Sequence, residues 1–320
     1  MSRLEYFSPA RQQRSSRSRR FLLEAAYAKT TAKKYNAAVK DFVKWCEVNH
    51  EDATDVEELD QVLVEYFHQL FEHGDGVGKG KAHATLYGIV SYLPHTKGRL
   101  LGASLALRGW NRMRPAKSYP PLTWELAVVM AVQMLRHKRK VEAYATLVGF
   151  HCLLRIGEII GLRREDVVDT GDKRMGSEYK GMGLRLRQTK TGPEQWVQIE
   201  DESIGDIIRQ LVNSTKRGGL LFPMSAQRYR ALIRSVCSEL GLEAHYVPHS
   251  LRHGGATRLF LQKRPMEDIL LRGRWASTKS AKRYIQAGRA MLASLNVPDR
   301  VVRLGERLAG NLLFSLSLAQ

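Results

Sequence analysis

Apolar residues recur at intervals of three and four along most of this 320-residue chain, and the alternation of a β-strand stands out clearly in one place only. Such a pattern restricts the fold to a helical protein carrying a small hairpin, because a sheet protein needs period-two alternation in several segments. Helical patterning starts near Thr30, where Tyr35, Val39, Phe42 and Val43 mark one face and Trp45 and Cys46 follow. Val56 to Glu72 predicts a second helix, Ala82 to Tyr92 a third and Leu101 to Met113 a fourth. Gly74, Gly76, Gly78 and Gly80 break the chain between the second and the third. This glycine run lacks the Gly-Lys-Ser/Thr ending of a phosphate loop and follows a helix, so it reads as a connection between helices.

Pro115, Lys117, Ser118, Pro120 and Pro121 form a short, stiff connection, the best domain boundary in the chain. Beyond it, Trp124 to Arg136 and Val141 to Leu153 predict helices. The strand alternation follows, in Leu184 to Gln188 and Gln195 to Ile199, around the turn Thr189-Lys190-Thr191-Gly192-Pro193. That is a hairpin with a lysine at its tip. Helical patterning returns at Ile204 to Val212, at Gln227 to Leu240 and from His249 onward. The organisation is therefore an arm over residues 1–22, a helical domain over 23–117 and a second, α-rich domain over 118–320 with a C-terminal tail.

Charge narrows the class of partner. Lys and Arg number 51 against 32 Asp and Glu, a net charge of +19, with a pI near 10.0. The excess is shared: 19 basic residues stand against 13 acidic ones up to residue 117, and 32 against 19 beyond it. Two basic bodies on a short linker suit a clamp around a polyanion, nucleic acid or an anionic surface. Arg11, Arg14, Arg17, Arg19 and Arg20 form a basic arm that either stays solvated or reaches along the same polyanion. No apolar run approaches the ~18 residues of a membrane span, and Glu24 interrupts any signal-peptide core. Cys46, Cys152 and Cys237 are odd in number and far apart, so neither a metal-ligand spacing nor a disulfide framework is present. A reducing compartment follows, which for a nucleic-acid partner means the cytoplasm and nucleoid, or the nucleus in a eukaryote.

Three clusters carry potential chemistry. Arg155 and Glu158 sit three apart in an otherwise apolar segment, where a buried charge needs a partner. His249 and Arg252 share a helical face and could point at one phosphate, whereas His253 falls about 100° off that face and reads as a supporting contact. A metal between His249 and His253 is poorly supported, since no Glu follows His249 and no third ligand can be named. The last cluster runs Arg272-Gly-Arg-Trp275 to Lys282-Arg-Tyr284. Taken alone, each is compatible with structure; their order along the chain is what constrains.

An Arg in an apolar segment, a hairpin Lys, a His-x-x-Arg, then a Trp and a Tyr nine residues later resemble the tyrosine site-specific recombinases of the phage integrase family. The resemblance covers most of the chain. It implies a mainly α fold: an N-terminal helical core-binding (SAM-like) domain, then an α-rich catalytic domain with a small antiparallel β-sheet. It implies seven catalytic positions: Arg155, Glu158, Lys190, His249, Arg252, Trp275 and Tyr284. Trp275 stands where many members carry His. The implied reaction is DNA strand cleavage and rejoining through a covalent 3′-phosphotyrosyl link, without ATP, metal or other cofactor. Tyr284 is then the nucleophile and Arg155 and Arg252 hold the non-bridging oxygens. Lys190 becomes the general acid to the leaving 5′ oxygen, His249 a proton-transfer partner, Trp275 an N–H donor and Glu158 an orienting group. The implied partners are double-stranded DNA and three further copies in a tetramer, with the apolar C-terminal segment from Ala287 either folded onto its own domain or docking on a neighbouring protomer. A type IB topoisomerase and a recombinase-derived protein that only binds DNA remain open alternatives.

Overall fold

The computed structural model describes residues 26–74, 78–115, 119–169, 181–189 and 192–319. The basic arm and Lys190 lie outside them. The chain divides between residues 117 and 118 into two compact units.

Among the described residues, the first unit comprises four α-helices around one apolar core. Helix α1 (Lys29–Asn49) buries Val39, Phe42 and Cys46 and stops at His50, whose left-handed φ of 56° ends the ladder. Helix α2 (Val56–His73) is started by Asp55, which accepts the Glu58 N–H at 2.8 Å, and buries Leu63, Tyr66 and Phe67. Helix α3 (Gly78–Tyr92) begins four residues earlier than the apolar pattern predicts. The glycine at its start is there for packing: a Cβ on Gly78 would lie 2.6 Å from the Leu70 carbonyl oxygen and 3.1 Å from the Trp110 ring. Helix α4 (Leu101–Met113) is capped from a distance, since Asp60 of α2 accepts the Gly102 and Ala103 N–H groups at 2.7 and 2.8 Å.

The second unit is built on α5 (Trp124–Arg136) and α6 (Lys140–His151), which are buried along most of their length. A short α7 (Ile156–Gly161) leads into β1 (Val167–Val168), β2 (Met182–Thr189) and β3 (Gly192–Ile199), an antiparallel sheet in the order β1-β2-β3. The predicted hairpin is β2–β3, with Leu184 opposite Val197 and Leu186 opposite Gln195. Leu184, Leu186 and Val197 face the core. The third strand was invisible to periodicity because two residues cannot show an alternation.

Helices α8 (Glu202–Ser214), α9 (Ala226–Glu239), α10 (Pro248–Leu261), α11 (Met266–Gly273), α12 (Thr278–Lys282), α13 (Ala287–Leu295), α14 (Asp299–Gly310) and α15 (Leu312–Ser317) complete the unit. Helices α14 and α15 pack on α5, and Val301, Leu312 and Leu316 join the core of their own unit. The apolar C-terminal stretch is thus covered on one side only, since Leu313, Phe314 and Leu318 stay exposed, as do Met291, Leu292 and Leu295 of α13. Among the described residues no helix is long and apolar enough to cross a membrane.

Candidate active site

The site lies where α10, α11 and the α6–α7 connection meet. Helix α10 opens with Pro248 at its first position, where a missing N–H costs nothing, and Ser250 Oγ accepts the Val247 N–H at 3.2 Å. Gly254 and Gly255 then allow a very close approach: a Cβ at either would overlap the backbone oxygens of Leu122 and Phe150 respectively. The approach presses Arg252 against the end of α6.

Arg252 is fully buried. Its two terminal nitrogens donate to the carbonyl oxygens of Leu153 and Gly273. The flat guanidinium lies under two aromatic rings, 4.6 Å from the Trp275 centroid and 5.2 Å from that of Tyr284. Both contacts suit a delocalised cation, which keeps its charge where an ammonium would not. Burial, then the neighbouring Arg155 and Arg274, press its proton affinity down. Leu153 adopts a left-handed φ of 50°, an uncommon conformation for leucine that turns its carbonyl toward these donors.

Arg155 is the N-cap of α7, and Glu158 is the third residue of its first turn. Glu158 reaches back, accepting the Arg155 backbone N–H at 2.8 Å and its Nη1–H at 2.6 Å. The pairing is therefore a capping arrangement, tighter than two side chains sharing a helical face. Glu158 Oε1 takes the Arg155 guanidinium, while Oε2, which accepts the Arg155 backbone N–H, also takes a second guanidinium, that of Arg274, at 2.8 Å. Three arginines, Arg155, Arg252 and Arg274, thus gather around one carboxylate among the described residues.

Tyr284 is half-buried and stands at the centre of an aromatic cluster. Its ring lies 4.8 Å from Trp275, 4.9 Å from His253 and 5.3 Å from His249, centroid to centroid. Its carbonyl is met by Thr257 Oγ1 and His253 Nδ1, each at 3.3 Å, which fixes the backbone that carries the ring. Burial lowers the pKa of His253, so this ring is held neutral against its neighbours. Trp275 is almost wholly buried, and its indole N–H has no hydrogen-bond partner among the described residues. A buried donor without an acceptor costs about 1–3 kcal/mol, a cost that an arriving anion would remove.

Six of the seven residues singled out from sequence are therefore brought together: Arg155, Glu158, His249, Arg252, Trp275 and Tyr284. Lys190 lies outside the described residues. Sequence reading passed over two residues that build the site. Gly273 has no side chain because a Cβ there would overlap the Trp275 ring. Arg274 ends α11 with a left-handed φ of 55° and turns its side chain inward. The one available signal was the unusual Arg-Gly-Arg-Trp run itself.

A cationic pocket in which three guanidiniums gather around one carboxylate, beside a phenol, is suited to hold a phosphodiester against an oxygen nucleophile. The sequence profile of the phage integrase family matches residues 129–290, a little over half of the chain. The chain belongs to the phage integrase family, whose members are tyrosine recombinases, enzymes that cleave and rejoin DNA strands. A tyrosine recombinase XerC of Alcanivorax borkumensis is 29% identical over 116 residues, spanning 34% of this chain and 36% of that protein. In architecture the chain is similar to the Tn1549 transposon integrase in complex with transposon right-end DNA. That match has a TM-score of 0.58 at 11% identity and covers 92% of this chain and 99% of the other. It is also similar to a lambda integrase dimer bound to a COC′ core site, with a TM-score of 0.59 at 13% identity over 90% and 78% of the two chains. These likenesses establish the mainly helical fold with a small antiparallel sheet.

Proposed function

We propose that the protein is a site-specific DNA recombinase in which Tyr284 attacks the scissile phosphorus and forms a 3′-phosphotyrosyl link. The observation that carries this reading is the position of the Tyr284 ring, against Arg252 and Trp275 of its own chain. In the forward step the Tyr284 Oη–P bond forms and the P–O5′ bond breaks. His249 takes the phenolic proton, and Lys190 supplies one to the departing 5′ oxygen. Arg155, Arg252 and the Trp275 N–H stabilise the charge on the non-bridging oxygens. Attack by a 5′ hydroxyl reverses every bond change, so the phosphotyrosyl link conserves the energy of the original ester and rejoining needs no nucleotide cofactor. Because Tyr284 lies in the pocket of its own chain, cleavage runs within one protomer.

Residues 23–117 serve as the core-binding domain and 118–320 as the catalytic domain, on duplex DNA in the cytoplasm and nucleoid, or in the nucleus of a eukaryote. Charge supports a DNA-facing side on the first unit. Helix α1 exposes Lys33, Lys34, Lys40 and Lys44, whereas α2 carries five acidic residues and no Lys or Arg. Four protomers assemble on two paired sites, and the exposed apolar residues of α13 supply the contact between neighbours. The arm before residue 23 tracks the backbone of the flanking duplex.

The test is a library of nicked duplexes with randomised arms, in which cleavage beside the nick releases a short strand and traps the protein. Denaturation-resistant protein–DNA adducts, recovered and sequenced, give the site and the strand polarity together. Wild-type protein is expected to form them and Tyr284→Phe is not. A library that yields no adduct with wild-type protein refutes the reading, and relaxation of a plasmid lacking the recovered site assigns the chemistry to a topoisomerase.

A further inference from the structure

Arg274 is a buried, multiply bonded guanidinium of the catalytic unit that the seven sequence-derived positions leave out. Its side chain is 4% exposed. One terminal nitrogen donates to Glu158 at 2.8 Å and to the Leu153 carbonyl at 3.0 Å; the other donates to the carbonyls of Arg272 at 3.0 Å and Cys152 at 3.4 Å. A single planar group thus ties the end of α11 to the exit of α6 and to the first turn of α7. Each tie ends next to a residue of the cleavage site. Glu158 holds Arg155 through its other oxygen, and the Leu153 oxygen is also taken by Arg252. Trp275 is the next residue in the chain.

Fastening alone does not call for a charge at this place. Burying a third guanidinium beside Arg155 and Arg252 is costly, and a well-packed apolar side chain would pin the same elements with less penalty. The charge does something that an apolar side chain could not. It draws on the same carboxylate as Arg155, so Glu158 orients the Arg155 fork without fully neutralising it.

Building on the strand-transfer reading above, we propose that Arg274 is a positioning residue for strand cleavage. Through Glu158 and the Leu153 carbonyl it sets the placement of Arg155, Arg252 and Trp275 around the scissile phosphate, without touching DNA itself. Supporting groups of this kind commonly alter activity by 10–100-fold, and misplacement of a reacting group by about 1 Å can cost about 100-fold.

The experiment is single-turnover adduct formation by the full chain on a nicked duplex carrying the arms selected as above. Duplex affinity is measured alongside by fluorescence anisotropy, and melting temperature confirms the folded state. Arg274→Met, of similar length but neutral, should form adduct about 100-fold more slowly while binding the duplex within about 3-fold of wild type. Arg274→Lys, which keeps one charged contact to Glu158, should recover part of the rate. In a Glu158→Gln background, Arg274→Met should cost less than about 3-fold more, because both changes act through one carboxylate.

Rates within about 3-fold of wild type in folded Arg274→Met or Arg274→Lys protein would overturn the proposal; so would losses that multiply independently of Glu158, or a rate loss matched by an equal loss of affinity. If Arg274→Met fails to fold, Arg274→Lys and its cycle with Glu158→Gln decide. A wild-type protein that forms no adduct removes the strand-transfer reading and this role together, whereas active wild type with unaffected Arg274 variants removes this role alone.

Discussion

Replacing Trp275 by Phe separates what the indole does for the fold from what it does for the reaction. Trp275 is 8% exposed and its buried N–H has no partner among the described residues. Phe deletes that donor and with it a penalty of about 1–3 kcal/mol. Phe also gives up part of the bicyclic ring, which at ~25 cal/mol per Å² and with some cavity cost amounts to about 1–2 kcal/mol. The two nearly cancel, so urea denaturation should show a change in stability within about 1.5 kcal/mol of zero. Cleavage should behave differently. In the pentavalent state the N–H finds a charged oxygen, and losing one such donor typically slows a reaction by about 100-fold or more. Trp275→His, which restores an N–H of different reach, should form adduct within about 10-fold of wild type in the same single-turnover assay. The reasoning fails if Phe reacts at the wild-type rate, if stability and rate fall together, or if His is as slow as Phe.

Other perturbations follow from the same geometry. Gly273→Ala puts a Cβ into the space of the Trp275 ring. It should cost about 1–3 kcal/mol in overpacking and slow adduct formation by about 100-fold, and Trp275→His in that background should recover part of the loss because its ring is smaller. His151 is held neutral with its pKa pushed down to about 3, first by burial and then by Arg272 and Arg258. Its folded pKa lies below the unfolded one of 6.5, so its contribution is complete above pH 6.5 and is lost as pH falls toward 3. Thermal melts should decline through that window with a slope from this group of up to about 1.4 kcal/mol per pH unit, and His151→Asn should flatten the limb. Duplex affinity should fall steeply with salt, by about 0.9 log units per log unit of salt for each phosphate contact; a flat response in anisotropy titrations would contradict the basic surfaces described.

Much of this architecture was legible because it is written in local patterns. The β2–β3 hairpin announces itself by alternation around Thr189 to Pro193, and the helices by apolar residues at intervals of three and four. The order of Arg155, His249, Arg252, Trp275 and Tyr284 pointed to one site, although nearly 130 residues separate its ends. What stayed hidden depends on distant partners. Asp60 caps a helix more than 40 residues away, and Gly78 opens a helix because Leu70 and Trp110 leave no room for a side chain. Neither has a signature in its own segment. Arg274 is the instructive case. Within its segment it is one of several basic residues before a tyrosine, and only the approach of α6 and α7 turns it into the hub of Glu158 and Leu153. Likewise, α5 buries Leu312 and Leu316 within the same chain, a contact that the apolar pattern of the tail does not reveal.

The central claim is that the hydroxyl of Tyr284, whose ring packs against the Arg252 guanidinium, becomes covalently joined to DNA. The most direct measurement is peptide mapping of the adduct: nuclease trimming and proteolysis, then mass spectrometry of the modified peptide. The account predicts a nucleotide linked through its 3′ phosphate to the peptide containing Tyr284, with a free 5′ hydroxyl on the released strand. A nucleotide on any other tyrosine, or a 5′-phosphate linkage, would contradict it.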